Sequence, residues 1–136
     1  MNLSDAILKG CEIVPEQAYN CWFGYLPYIH IKDINRACVL GTAIVGIAGT
    51  KNYSELGINS TNSEYIKTHI PSVKVILDIP CPALAECDIT FVDPNGKTLN
   101  PPFSVLSYCV HLNDHHRLTR EKIAEWIKSL EMNGVI

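Results

Sequence analysis

The sequence predicts a small α+β fold: a single domain with a buried central helix, a zinc-finger-like ββα unit and a C-terminal helix. Three observations carry this. Apolar residues make up 47% of the 136 positions and charged residues 18%, which suits one domain with a real core. Residues 37–50 carry no charge and are apolar on nearly every side of a helix, the pattern of a helix surrounded by protein. Lastly, Cys81 and Cys87 precede a turn sequence and the cluster His111, His115 and His116, which is the ligand order of a Cys2His2 zinc site. We divide the domain, residues 1–136, into a helical part (1–80), the finger-like unit (81–118) and the last helix (119–132).

Leu3, Ile7, Leu8 and Cys11 recur at helical spacing, with Ser4 as N-cap, Asp5 in the first turn and Pro15 beyond the end. Residues 15–32 hold Tyr19, Trp22, Phe23, Tyr25 and Tyr28, broken by Pro27. They read as an irregular aromatic connection packed over the core. Asp33 opens the central helix, whose face is Ile34, Ala37, Cys38, Gly41, Ile44, Val45 and Ala48. Gly41 and Gly46 each weaken a helix by about 1 kcal/mol relative to Ala, so close approach to a neighbouring element is expected there. Gly49 fits the C-terminal cap. Residues 50–63 read as a polar, mobile surface loop. Thr61 and Glu64 have capping-box spacing for a short helix over 62–70, stopped by Pro71. Residues 72–77 have strand character.

In the second half, residues 88–92 read as a strand, 93–96 as a turn and 97–100 as the returning strand, ended by Pro101 and Pro102. Ser104 caps a helix over 105–112. Thiolates and neutral imidazoles suit Zn2+, and four of them close a tetrahedral structural site. Such a site contributes on the order of 10–16 kcal/mol of apparent binding energy coupled to folding. The candidate ligands are Cys81, Cys87, His111 and His116. His115 competes for the fourth place, because it shares a helix face with His111 at i, i+4; His116 needs the helix to loosen at Asn113–Asp114. Cys109 is a reserve ligand that reads better as core. Both ligand spacings exceed those of the usual finger, and the alternative is a pair of ordinary thiols beside a solvated helix end. Thr119 caps the last helix, with Glu121 in its first turn. Its stripe is Ile123, Ala124, Ile127 and Leu130, joined by Leu118 and Trp126. Arg120, Lys122, Glu125, Lys128 and Glu131 read as the solvated face, and Gly134 follows the end.

The net charge of −3 and the excess of acidic over basic residues after Cys81 argue against nucleic-acid binding, which needs clustered Lys and Arg. The first residues lack the charged and apolar regions of a signal peptide. The longest apolar run, residues 37–49, is shorter than the about 20 residues that span a bilayer. The expectation is a cytoplasmic protein whose cysteines are thiols or metal ligands, so the sequons at Asn52 and Asn59 carry no weight. Neither a P-loop nor a dinucleotide-binding glycine motif occurs.

Two stretches, Arg36-Ala-Cys-Val-Leu-Gly-Thr-Ala43 and Val110-His-Leu-Asn-Asp-His-His-Arg-Leu-Thr-Arg-Glu-Lys-Ile-Ala-Glu-Trp-Ile127, together resemble a family of small phage and prophage proteins of unknown activity. The second stretch is the specific one. The resemblance implies a cysteine knuckle on Cys81 and Cys87, histidines on His111 and His116, and a final helix over 120–127. The knuckle departs from the family pattern by its extra residues. The resemblance implies a phage or mobile-element origin in a bacterial host cell and no established activity. The expected function is that of a non-enzymatic, zinc-stabilised accessory protein acting through protein–protein interaction, with inhibition of a host defence system as one form. One alternative is a cysteine hydrolase using Cys21, with His111 as base and Asn113 or Asp114 as orienter; Pro27 is too close to Cys21 for a long nucleophile helix. The other is a nucleic-acid-binding finger.

Overall fold

Two helices that touch backbone to backbone organise the fold. Helix α1 (Leu3–Ile13) buries Leu3, Ala6, Ile7 and Gly10, and α2 (Val39–Ala48) buries every residue from Val39 to Gly46. A Cβ on Gly10 would lie 1.9 Å from the Thr42 carbonyl oxygen, and one on Gly46 would lie 1.9 Å from that of Ala6. Only glycine fits at these crossings, one on each helix. Gly41 meets the Trp22 carbonyl in the same way, at 2.2 Å from its would-be Cβ. The close approach expected of Gly41 and Gly46 is therefore present. Gly49 closes α2 in the left-handed conformation, φ +72°. The computed structural model describes residues 1–25, 33–73, 77, 91–92, 95–99, 103–134 and 136.

A small sheet lies beside these helices, in the order β1-β3-β2. Strand β1 (Glu16–Gln17) runs parallel to β3 (Ile34–Ala37), and β2 (Phe23–Tyr25) runs antiparallel to it. This corrects two expectations. The aromatic stretch after Pro15 is not wholly irregular, since it supplies β1 and β2. The central helix begins at Val39, not after Asp33. Ile34 and Ala37 are buried three residues apart, the spacing of a helix face, which is why this strand reads as the start of the helix. The N-cap is Cys38, whose sulfur accepts the Gly41 N–H at 3.3 Å. Asp33 instead pairs with Asn52 in an isolated bridge. That bridge, the Ile34 N–H bond to the Lys51 carbonyl at 2.8 Å and buried Leu56 tie the segment expected as a mobile loop to the sheet and core. Ser4 is also not a cap: it lies inside α1, and its hydroxyl donates to Glu131 of the last helix.

Thr61 caps α3 (Asn62–His69) through the Glu64 N–H, at 3.2 Å. Pro71–Val73 then form a single 3-10 turn, so the strand expected over 72–77 does not start at Ser72; residues 74–76 lie outside the described residues. Strands β4 (Phe91–Val92) and β5 (Thr98–Leu99) pair antiparallel about a turn in which Gly96 has φ +82°, as the turn sequence predicts. Ser104 caps α4 (Val105–Asp114), and Thr119 caps α5 (Arg120–Met132). Helix α4 packs against α2 and α5. Its buried face, Val105, Tyr108, Cys109 and Leu112, belongs to one cluster that runs from Leu3 to Leu130. A short hairpin precedes α4, but α4 is built into the main core, and residues 81–90 of the expected finger-like unit, including the start of its first strand, lie outside the described residues. Among the described residues, no helix is long and apolar enough to cross a membrane.

Arg120 overturns the reading of α5's charged side as wholly solvated. It is 2% exposed. Its guanidinium donates through Nη1 to the Val14 carbonyl at 2.7 Å and to Thr42 Oγ1 at 2.9 Å, and through Nη2 to the Pro15 carbonyl. At the first position of α5 a cation opposes that helix's own dipole. It serves α1 instead, satisfying carbonyls that the end of that helix leaves unpaired.

Candidate functional site at the end of helix α4

The last turn of α4 is anchored by Asn113, which is fully buried. Its Oδ1 accepts from the Val39 N–H and from Gln17 Nε2, both at 2.9 Å. Its Nδ2 donates to the Ala18 carbonyl at 2.9 Å and to Asp114 Oδ1 at 2.7 Å. All four hydrogen-bonding positions of the amide are used. One side chain thus joins α4 to the start of α2 and to the edge of the sheet. Asp114 Oδ1 also accepts the N–H of Asn20, a residue held at φ +60°.

Beyond this anchor three imidazoles gather. The helix stays intact through Asp114, contrary to the expected loosening at Asn113–Asp114. The chain turns back only afterwards, at Arg117 with φ +53°, whose guanidinium lies 4.6 Å from the Tyr19 ring centroid. The N–H groups of His115 and His116 both bond to the His111 carbonyl, at 2.9 and 3.2 Å. This doubles His116 back over the helix end. The His111 ring stacks on His115 at 4.7 Å between centroids and meets His116 edge-on at 4.9 Å, while His115 and His116 are 5.5 Å apart. His111 is half-buried, and the other two are exposed.

Of the four sequence-derived ligands, His111 and His116 are therefore neighbours. Cys81 and Cys87 lie outside the described residues. Among the described residues no group of three or more His, Cys, Asp or Glu side chains is arranged to hold a metal ion. Cys109 is fully buried in the core, and burial pushes its thiol pKa up. It sits two residues from His111, which is roughly half a helical turn around the axis. It reads as core, not as a reserve ligand.

Next to the Asn113 anchor lies a cleft of about 220 Å3, lined by Cys21, Trp22, Cys38, Val110 and Asp114 among others. Cys21 is exposed. Cys38 is mostly buried, and its thiol pKa is pushed up to about 11, chiefly by burial and opposed by the N–H groups of Gly41 and Leu40. No histidine is among the described residues lining this cleft. The Asn113 amide, which also lines the cleft, has all four of its hydrogen-bonding positions filled.

No protein-family model matches this chain, and no curated protein or solved structure matches it.

Sequence reasoning missed Asn113 and Arg120 as organising residues. A helix carrying one Asn beside its apolar face of Val105, Tyr108, Cys109 and Leu112 was the available signal for the first. For the second, the first position of a helix is an unfavourable place for a cation unless something else accepts it.

Proposed function

We propose that the protein is a non-enzymatic accessory protein of phage or mobile-element type, acting by protein–protein interaction. In this reading a structural zinc ion, held by Cys81, Cys87, His111 and His116, closes residues 81–118 onto the helical core. The observation that supports it is the turn after α4, which sets the His111 and His116 rings 4.9 Å apart and edge-on. Two imidazoles and two thiolates are the donor set of a closed tetrahedral site. A closed site leaves no coordination position for substrate, which favours a binding role over catalysis. Inhibition of a host defence enzyme is one form this role takes.

Metal analysis of the purified protein by mass spectrometry, with thermal melts before and after a strong chelator, tests the reading. One zinc per chain and a large chelator-induced loss of Tm are expected. The same two measurements on Cys87→Ser and His116→Ala should show the metal lost. A metal-free protein whose melt ignores the chelator would overturn the zinc site.

A further inference from the structure

The cleft beside Asn113 brings together two cysteines from different elements, and nothing in the proposed zinc site uses them. Strand β2 pairs with β3 so that Phe23 faces Ala37 and Gly24 faces Arg36. The pairing continues one residue further, because the Cys38 N–H donates to the Trp22 carbonyl at 3.0 Å. Trp22 therefore stands opposite Cys38, and Cys21 is the next residue along. Strands about 5 Å apart with a rise of about 3.3 Å per residue would set the Cys21 and Cys38 Cα atoms roughly 6 Å apart. A disulfide needs roughly 4.4–6.8 Å. Alternation along a regular strand would send Cys21 to the other face. The chain is bent across residues 19–22, before the regular strand begins at Phe23, and both cysteines line the one cleft.

We propose that Cys21 and Cys38 form an oxidisable dithiol, which a hydroperoxide converts to an intramolecular disulfide at this cleft. The two thiols have different parts. Cys21 is exposed and meets the oxidant. Its thiolate, formed by loss of the thiol proton, attacks the peroxide oxygen. The O–O bond breaks, an alcohol or water leaves, and Cys21 becomes a sulfenic acid. Cys38 is held at the start of α2 by the Gly41 N–H. Its sulfur then attacks the Cys21 sulfur; the S–S bond forms, the S–O bond breaks, and the Cys38 proton leaves with the hydroxyl as water. Two thiols and one hydroperoxide give one disulfide, one alcohol and one water. Cys38 is a poor primary target, since its buried thiol stays protonated at neutral pH. The oxidised form ties the segment just before β2 covalently to the N-terminus of α2.

The test is a titration of the reduced full-length protein with hydrogen peroxide, quenched by an alkylating reagent and followed by peptide mapping without reduction. The expected product links the Cys21 and Cys38 peptides, with loss of two hydrogens and full reversal by a dithiol reductant. Cys38→Ser keeps an oxygen to accept the Gly41 N–H, so the fold is preserved; here a sulfenic acid at Cys21 should accumulate and be trapped by a 1,3-diketone probe. Cys21→Ser should leave Cys38 reduced over the same peroxide range. Zinc content, measured in parallel, should not change with formation of this bond. A Cys21 disulfide to any other cysteine, an intermolecular disulfide, or oxidation of Cys21 to sulfinic acid while Cys38 stays a free thiol would each overturn the proposal.

Discussion

Replacing Asn113 by leucine keeps the number and branching of the side-chain heavy atoms and removes every polar one. Four partners lose a bond. Gln17 Nε2 retains the Leu118 carbonyl at 2.8 Å, and Asp114 retains the Asn20 N–H, so the loss concentrates on two backbone groups. The Val39 N–H and the Ala18 carbonyl belong to residues 1% and 2% exposed, where water cannot replace the amide. Each orphaned buried group costs about 1–3 kcal/mol. The sum is about 4 kcal/mol, a large part of the about 5–15 kcal/mol by which domains of this kind are stable. At this chain length it corresponds to a Tm lowered by roughly 10–15 °C. Asn113→Asp should be no better: it keeps the acceptor oxygen, loses both donors and sets a buried charge beside Asp114. Thermal and urea melts of both variants measure this. If Asn113→Leu melts within about 2 °C of the wild type, the amide is not the anchor described here.

Two further outcomes follow from buried groups. Arg120→Met should destabilise the fold by about 3 kcal/mol by leaving the Val14 and Pro15 carbonyls without their charged donor, and Arg120→Lys should not restore it, because one ammonium cannot serve three acceptors spread around a planar fork; a urea midpoint unchanged in Arg120→Met would count against the role. The thiols of Cys11 and Cys38 are raised from 9.0 to about 11, mainly by burial. The folded state therefore favours the neutral thiol, the resulting stability is complete below pH 9, and it should fall away as the pH rises toward 11. Urea midpoints measured from pH 8 to 11 should decline more steeply in the wild type than in Cys38→Ser, and equal slopes would refute the assignment.

The helices were legible where a local signal marks them. Thr61, Ser104 and Thr119 each accept an N–H from three residues on, and Gly49 takes the left-handed conformation that ends α2. These are short-range effects that a sequence displays directly. The small sheet was not legible. Strand β1 has two residues and β2 three, too few to show an alternation, and β3 runs into α2 with only Cys38 between them. At the site, the gathering of His111 and His116 was legible from their spacing. The turn that achieves it was not, because it rests on the His116 N–H reaching back five positions to the His111 carbonyl, a backbone bond that no residue type in the stretch announces. Asn113 and Arg120 act across 74 to 106 positions of sequence, and no window of local pattern reports a partner that far away.

Those distances also bear on the order in which the molecule is made. The N–H at the start of α2 waits for Asn113, the carbonyls after α1 wait for Arg120, and Ser4 waits for Glu131, 127 positions later. The first half of the chain holds two helices that press together through glycines but lack the groups that finish their ends. During synthesis these helices emerge long before their partners do. Contacts of such long sequence separation form late, after the entropy of closing the intervening chain has been met. A chain ending before α4 should accordingly stay partly open, exposing the apolar sides of α2, and the native fold should be reached only after α5 has left the ribosome.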